Sequence, residues 1–267
     1  MIKADNINFW IKNRRVLENI YLQLNVGELK VVLGPNGAGK SSLFKILSGE
    51  ATCKLGAVAY NGRNLQQYNA AHLAMVRSVM PQSSQLSFPF FAKEVVEMGL
   101  MNINNHNPTY SIQEVMLQTN TWHLKNQLYG NLSGGEKQRV QFSRALVQIW
   151  EEKPYPRYLL LDEPTSSMDI SQQHQLLHLL LGLKKRNIGI LVILHDLNLA
   201  ALYADSLILL KEGKVIANGV KDEVLTAENL FQTFDYPIEV LRHPVTGKPL
   251  IAPQPVHTNF QQTIKSA

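Results

Sequence analysis

The sequence contains little cysteine and no long apolar stretch. A single cysteine, Cys53, among 267 residues excludes an internal disulfide framework and favours a reducing compartment. The longest apolar run, residues 190–194, is far shorter than the roughly 20 residues that a membrane-spanning helix needs. Residues 1–5 lack the apolar core of a signal peptide, and internal repeats are missing. These absences predict a soluble chain that is not exported.

The overall composition is that of an ordinary globular protein. Apolar residues make up 45% of the chain and charged residues 18%. The formal net charge of +5 is compatible with an anionic ligand or with a site beneath an anionic membrane face. A solvated basic surface explains such a surplus more often. Charge alone therefore does not identify a partner.

Strand and helix signals alternate along most of the chain. Strand-like patterns occupy residues 2–5, 20–26, 29–33, 158–161, 189–194, 206–210 and 215–217. Helical spacing follows at residues 41–49, and residues 86–150 look largely helical. From Asp235 the tail is polar and dotted with prolines, as in a small appendage or a partly disordered segment. The pattern predicts an α/β sheet with a helical insertion.

A glycine-rich loop follows the apolar run 29–33. It matches G-x-x-x-x-G-K-S/T with Gly34, Pro35, Asn36, Gly37, Ala38, Gly39, Lys40 and Ser41. Glycines let backbone N–H groups face a phosphate, and the helix that follows directs its positive end to the same anion. Lys40 would reach the β- and γ-phosphates and Ser41 would coordinate Mg²⁺. A plain turn before a helix is the alternative, which the buried strand and the motif together disfavour.

Two carboxylates, Asp162 and Glu163, end the apolar run 158–161. In a phosphate-loop ATPase the first acid holds Mg²⁺, usually through water. A second acid beside it can orient or deprotonate the attacking water. A pair of helix caps at a strand-to-helix turn is the alternative, because Pro164 and Thr165 follow. The phosphate loop favours the catalytic interpretation.

Between these two motifs lies the run Leu-Ser-Gly-Gly-Glu, residues 132–136. With it, residues 1 to about 250 resemble the nucleotide-binding subunits of ATP-binding-cassette (ABC) transporters. The resemblance implies a phosphate-loop, RecA-like core with a mixed sheet, an antiparallel β subdomain and an inserted helical subdomain. It implies one ATPase domain, residues 1–250, with its core at 1–85 and 156–235 and its helical subdomain at about 86–155. Residues 236–267 would form a C-terminal extension.

The same resemblance implies roles for further residues around one ATP. Glu163 would act on water with Gln82 and His195, and Gln82 would share Mg²⁺ with Ser41 and Asp162. Ser42, beside the loop, stands where threonine is commoner. Phe9 or Trp10 would stack on adenine, since the family's usual tyrosine is absent.

The resemblance also implies a second copy of the chain. Ser133, Gly134, Gly135 and Glu136 would bind the γ-phosphate of the nucleotide that the partner holds, and Asp169 would link the two sites. A serine hydroxyl and glycine N–H groups at a helix start suit an anion. The implied assembly is a homodimer that uses Mg²⁺ and ATP beneath two transmembrane permease subunits, served by a periplasmic haem-binding protein. It would lie peripherally on the cytoplasmic face of a bacterial inner membrane, without nucleic acid.

Four stretches resemble the branch that imports iron chelates, cobalamin and haem. They are residues 88–99, 150–158, 195–201 and 243–249. The proline-containing segment 150–158, followed by residues 171–175, is similar to haemin-import ATPases in particular. Haem is the expected cargo, with an iron siderophore or cobalamin as the alternative.

The motifs disfavour other classes of protein, and a few further residues have two possible roles. A phosphate-loop kinase or GTPase has no reason to carry residues 132–136, and a non-transport ABC protein typically has tandem cassettes or a long coiled-coil insertion. His174 and His178 have a spacing that could hold a metal, but no third ligand is evident and a solvated helix face is expected. The phenylalanines at positions 88, 90 and 91 are expected either to pack in the helical insertion or to form an apolar groove for a permease helix.

Overall fold

The computed structural model describes residues 1–82, 88–101 and 107–255. The strands are β1 (Ile2–Ile11), β2 (Arg14–Leu24), β3 (Leu29–Leu33), β4 (Leu55–Tyr60), β5 (Arg63–Asn64), β6 (Arg77–Met80), β7 (Arg157–Asp162), β8 (Ile188–Ile193), β9 (Ser206–Lys211), β10 (Lys214–Val220), β11 (Ile238–Arg242) and β12 (Pro249–Pro253). The α-helices are α1 (Lys40–Ser48), α2 (Ala70–Val76), α3 (Ala92–Glu97), α4 (Pro108–Gln118), α5 (Gly134–Gln148), α6 (Ile170–Lys184), α7 (Leu197–Tyr203), α8 (Lys221–Val224) and α9 (Ala227–Phe234).

The central sheet has six strands in the order β10-β9-β3-β8-β7-β6. Five of them run parallel and β10 pairs with β9 antiparallel, so the sheet is mixed. Every residue of β3, β7 and β8 is buried, as expected for strands that are covered on both faces. Alternate side chains enter different cores: Val31 and Leu33 join one apolar cluster and Val32 the other.

A second, antiparallel sheet has the order β2-β1-β4-β5. Its inner face packs with α1 and with one face of the central sheet in a shared apolar cluster. The Tyr158 hydroxyl in β7 donates to Asn61 Oδ1 at 2.7 Å, and the Tyr158 ring meets Tyr60 edge-on. The structure thus confirms the predicted α/β class with a mixed sheet and a separate antiparallel sheet.

Helices α3, α4 and α5 lie between β6 and β7 in the chain and form the predicted helical insertion. Their apolar side chains, including Val95, Val115 and Phe142, belong to the larger apolar cluster together with residues of β3 and β8. Buried hydroxyls fix α4 against α5, because Thr119 Oγ1 lies 2.7 Å from Ser143 Oγ. The insertion is therefore held to the rest of the chain by a continuous core.

The C-terminal segment forms a hairpin of β11 and β12. Ile238 and Ile251 are buried in the larger cluster, and Asn198 in α7 bonds both backbone groups of Ile251 at 3.1 and 2.8 Å. Residues 256–267 of the expected C-terminal extension lie outside the described residues. Across the described ranges, no helix combines the length and the apolar character that crossing a membrane would require.

Candidate active site

The phosphate loop connects β3 to α1. Two of its positions require glycine, both because their φ angles are positive and because a side chain there would collide with neighbouring atoms. Gly34 has φ 155°, and a Cβ there would lie 2.2 Å from the Leu210 carbonyl oxygen. Gly39 has φ 102°, and a Cβ there would lie 2.8 Å from Leu17 Cδ2. Any other residue would push the loop away from the neighbouring strands. The glycines thus hold the backbone close to the sheet at the start of α1.

Lys40 is held within this loop. Its side chain is almost buried, and Nζ donates to the Gly34 carbonyl at 2.7 Å and to the Pro35 carbonyl at 3.0 Å. Burial lowers the pKa of Lys40, while the negative charges of Glu163 and Asp162 oppose this shift. The ammonium group therefore faces both carboxylates that the sequence predicts to be functional.

Asp162 ends β7 and is buried, with 5% of the residue exposed. Its Oδ1 atom is also buried and has no hydrogen-bond partner among the described residues. Burial, together with the charge of Glu163, raises the pKa of Asp162 to about 6, although Lys40, His195 and the Ser41 hydroxyl act in the opposite direction. A buried carboxylate oxygen without a donor, beside a serine hydroxyl, fits the oxygen ligands that Mg²⁺ prefers.

Glu163 is brought together with both of its predicted partners. Gln82 Nε2 donates to Glu163 Oε2 at 2.8 Å, and His195 Nε2 contacts Glu163 Oε1. The three residues follow β6, β7 and β8, which are neighbours in the sheet, so their side chains converge at one edge. Glu163 has φ 51°, a left-handed conformation that costs a residue with a side chain about 1–3 kcal/mol. The surrounding contacts hold it there.

Gln138 is a part of this site that sequence reasoning missed. From α5, its Nε2 donates to the Glu163 carbonyl oxygen at 2.7 Å and to Ser166 Oγ at 3.1 Å. Its Oε1 accepts from the Ser167 N–H at 2.9 Å. A glutamine on a helix has no spacing that would reveal such partners, which lie 25 to 29 residues away.

The predicted signature surrounds the start of α5. Ser133 caps the helix, and Glu136 Oε2 accepts from the Ser133 N–H at 2.8 Å and from its hydroxyl at 2.7 Å. These two bonds lower the pKa of Glu136. Gly135 lies close to the loop after β7, since a Cβ there would be 2.7 Å from the Ser167 carbonyl, whereas Gly134 has open space. Within the described chain, no hydrogen bond or ion pair joins residues 133–136 to residues 34–41.

Asp169 lies apart from the cluster around Glu163. Its Oδ1 accepts from the Gln172 N–H at 2.8 Å and so caps α6. The next residue, Ile170, is 76% exposed, although it is large and apolar. Met168, the residue before Asp169, is buried in the larger apolar cluster.

The two aromatic candidates on β1 differ in their surroundings. Phe9 is half-buried and packs against the apolar cluster beneath the antiparallel sheet. Trp10 is half-buried as well, but the Arg15 guanidinium lies 5.4 Å from its ring centroid. Only Phe9 belongs to the packing of that cluster.

The remaining aromatic and histidine candidates also differ in their surroundings. Phe90 packs on the larger core, as one of the two expectations states, whereas Phe88 is 72% and Phe91 44% exposed. His174 Nδ1 lies 2.6 Å from the Tyr203 hydroxyl, and His178 meets the Tyr203 ring edge-on. No cluster of three or more metal-binding side chains occurs among the described residues.

Comparisons with known proteins give the same family as the motifs. The family model described as ABC transporter matches residues 17–166. The hemin import ATP-binding protein HmuV of Gloeobacter violaceus is 45% identical over 258 residues, which cover 95% of this chain and 94% of that protein. The protein of the same name from Escherichia coli O157:H7 is 42% identical over 252 residues, covering 94% and 98%.

A solved structure shares the fold across nearly the whole length. It is described as an inward-facing conformation of a metal-chelate type ABC transporter, with a TM-score of 0.76 and 25% identity. The match covers 95% of this chain and 96% of that one. This fold, the family match and the long alignments at 45% and 42% identity agree. The chain belongs to the ABC transporter family as one of its ATP-binding subunits, an ATPase coupled to transport.

Proposed function

We propose that this protein hydrolyses ATP to drive the import of haem, with Glu163 as the base that acts on water. The observation that carries the catalytic part is the position of the Glu163 carboxylate, which is held by Gln82 and His195. Lys40 and Asp162 lie beside it. Charged and hydrogen-bonding groups that converge at one sheet edge are what phosphoryl transfer to water requires.

Each residue has a defined part in the proposed reaction. Lys40 exchanges its two carbonyl partners for phosphate oxygens, and the N–H groups at the start of α1 bind the same phosphates. Glu163 accepts a proton as the water oxygen attacks the γ-phosphorus, and the bond to the bridging oxygen breaks to give ADP and phosphate. Ser41, Gln82 and, through water, Asp162 would hold Mg²⁺, which neutralises phosphate charge when bound.

The signature would complete the site from a second copy of the chain. Ser133 and the N–H groups of Gly134 and Gly135 stand at the start of the 15-residue helix α5. Because Ser133 is exposed, a phosphate held on another surface could reach it. Asp169, next to the exposed Ile170, would lie near the contact between the two copies. Closure of the dimer around two ATP molecules is then the step that transmits work.

Membership of the family supports the proposed membrane partners. Two permease subunits would receive the motion, and a periplasmic haem-binding protein would deliver cargo on the other side. The exposed rings of Phe88 and Phe91 support an apolar contact with a permease helix, because large apolar side chains that are exposed close together on one segment suit an interface. The protein would then lie peripherally on the cytoplasmic face of the inner membrane.

Haem is the proposed cargo because the two relatives at 45% and 42% identity are both described as hemin import proteins. A siderophore or cobalamin importer would use the same catalytic groups. The deciding experiment reconstitutes this subunit with its permease and binding protein and measures ATP hydrolysis with each cargo. Haem should stimulate turnover. Stimulation by cobalamin or a ferric siderophore, without any by haem, would contradict the proposed cargo.

The catalytic part is tested separately with Glu163→Gln. General base catalysis contributes roughly 10²–10⁴-fold, so turnover should fall by that order while ATP binding is retained. Glu228→Gln is the matched control, because Glu228 is an exposed carboxylate on α9, away from the site. Near-normal turnover in Glu163→Gln would refute Glu163 as the base. Copurification with nucleic acid, in place of a permease, would favour a non-transport ABC protein.

A further inference from the structure

We infer that Gln138 is a positioning residue for hydrolysis, which connects the signature helix α5 to the Glu163 backbone of the same chain. The inference rests on the proposed role of Glu163. It concerns a residue that neither binds nucleotide nor contacts the carboxylate itself.

The N–H₂ group and the oxygen of the Gln138 side-chain amide both bond to the loop after β7. Its N–H₂ group donates to the Glu163 carbonyl and to Ser166 Oγ, and its oxygen accepts from the Ser167 N–H. A side-chain amide has two donors and one accepting oxygen, so these three bonds fix its orientation. One side chain of α5 therefore makes three bonds to the loop after β7.

That loop contains the left-handed residue of the site. Glu163 has φ 51°, a conformation that persists only where several contacts determine it. Its N–H donates to the Ile193 carbonyl at 3.2 Å, and its carbonyl accepts from Gln138 Nε2 at 2.7 Å and from the Ser166 N–H at 3.4 Å. These bonds hold the peptide groups on either side of Glu163. Loss of the Gln138 bond would leave the carbonyl with the longer bond from Ser166, and the direction of the carboxylate would vary.

A second contact joins the same helix to the same loop. Gly135 lies so close to Ser167 that a Cβ would be 2.7 Å from its carbonyl oxygen. A displacement of the start of α5 would therefore move the loop that carries Glu163. In the proposed dimer the start of α5 binds the partner's ATP. Gln138 would then transmit occupation of the partner's site to the base of its own chain.

Two variants separate the bonds that Gln138 makes. Gln138→Met removes all three with little change of volume. Gln138→Glu removes both donated bonds but keeps an oxygen for the Ser167 N–H. Gln141→Met is the matched control, since Gln141 lies one turn further along α5 and bonds the Tyr129 hydroxyl at 3.0 Å, away from Glu163.

Both Gln138 variants should bind ATP with an affinity within about twofold of wild type, because the Lys40 loop is unchanged. Their kcat should fall at least about tenfold, since a misplacement of about 1 Å in an active site can cost roughly 100-fold. The Hill coefficient for ATP should fall towards 1. Gln141→Met should retain kcat and the Hill coefficient, and thermal melting should be similar in Gln138→Met and Gln141→Met.

Wild-type kcat in Gln138→Met would overturn the inference, and so would an equal loss of kcat in Gln141→Met. Wild-type kcat in Gln138→Glu alone would overturn the part assigned to the Glu163 carbonyl. Glu163→Gln is measured in parallel. If that variant keeps its turnover, the proposed function has failed; if it loses turnover while Gln138→Met does not, only the present inference has failed.

Discussion

The chain contains two glycine-rich helix starts, and they differ in what surrounds them. At the phosphate loop the lysine is buried: Lys40 is 6% exposed, and two carboxylates lie beside it. The signature is open: Ser133 is exposed, and its N–H group is occupied by Glu136 from the same turn. Both starts offer N–H groups to an anion, but only the first combines them with a buried cation.

This difference supports the proposed requirement for a second copy of the chain. A pocket with its own lysine can bind phosphate by itself. An exposed helix start offers only a few donors, whose attraction for an anion is weak in water and grows when another surface excludes solvent. The two starts are therefore expected to respond differently to substitution.

The largest effect is expected for Lys40→Ala. Removal of the buried ammonium group proposed to bind the phosphates should lower ATP affinity and reduce turnover by roughly 10²–10³-fold. Isothermal titration and an ATPase assay measure the two quantities. Lys45→Ala, at an exposed position on the same helix, is the control. Similar losses in both variants would contradict a specific role for Lys40.

The next largest effect is expected when two variants that are each inactive alone are mixed and regain ATPase activity. Gly134→Asp should leave the fold intact, because a Cβ at this position meets only Ser167 Cβ at 3.9 Å, but its charge would repel phosphate. When Gly134→Asp is mixed with Lys40→Ala, each heterodimer should regain up to about half of the wild-type ATPase activity. One of its two sites combines the intact phosphate loop of the Gly134→Asp chain with the intact signature of the Lys40→Ala chain. Gly134→Ala is the neutral control. Failure of the mixture to regain activity would contradict a site shared between chains.

Asp162→Asn should stabilise the chain at neutral pH while it abolishes Mg²⁺-dependent turnover. The raised pKa of Asp162, about 6, means that between pH 4 and 6 the folded chain binds more protons than the unfolded one. The free energy of unfolding therefore falls as the pH rises through this range, and the charged carboxylate costs about 1–3 kcal/mol above it.

Thermal melting in EDTA at pH 7.5 and pH 4 measures this stability. The gain in Asp162→Asn should be present at pH 7.5 and largely lost at pH 4, where the wild-type carboxyl is already protonated. Asp222→Asn, at an exposed carboxylate, should show no such difference. An equal gain at both pH values would argue against burial of the charge as its cause.

A smaller effect should distinguish the two aromatic residues of β1. Trp10→Ala should weaken ATP binding by about tenfold, since stacking on a base contributes about 1–3 kcal/mol. Phe9→Ala should instead lower the free energy of unfolding, because Phe9 packs against the core. Fluorescence titration and chemical denaturation measure the two effects. The reverse outcome would assign the adenine platform to Phe9.

The smallest effect is expected for Glu136→Ala, which removes the carboxylate that caps the signature. Loss of this capping box should cost about 0.5–1 kcal/mol of stability, with ATP affinity unchanged and turnover reduced less than about threefold. Glu136→Gln keeps an accepting oxygen and should be closer to wild type. A loss of turnover as large as that in Lys40→Ala would show that Glu136 has a chemical role.

Much of the phosphate-loop region follows from local sequence. An apolar run, a glycine loop and helical spacing predict β3 and α1, and the predicted helix 41–49 differs from the observed Lys40–Ser48 by one residue at each end. The strands predicted at 189–194 and 206–210 are likewise within one residue of β8 and β9. By contrast, β6 has only four residues and shows no clear pattern, so its place at the sheet edge follows from tertiary pairing.

The site itself depends on contacts that no local pattern encodes. Gln82, Glu163 and His195 meet because β6, β7 and β8 are neighbours, and that order is a property of the folded sheet. The family resemblance predicted that those three residues belong to one site. It did not provide Gln138, whose partners are backbone atoms and a serine hydroxyl of a distant loop.

The left-handed backbone at Glu163 has a consequence for selection. Glycine adopts that conformation freely and asparagine does so more readily than glutamate, so either would suit the turn better. A laboratory screen that rewards only thermal resistance would therefore favour replacing Glu163, and it would favour removing the buried charge of Asp162 as well. If Glu163 is the base, as proposed, such a screen would yield a more stable protein that hydrolyses little ATP.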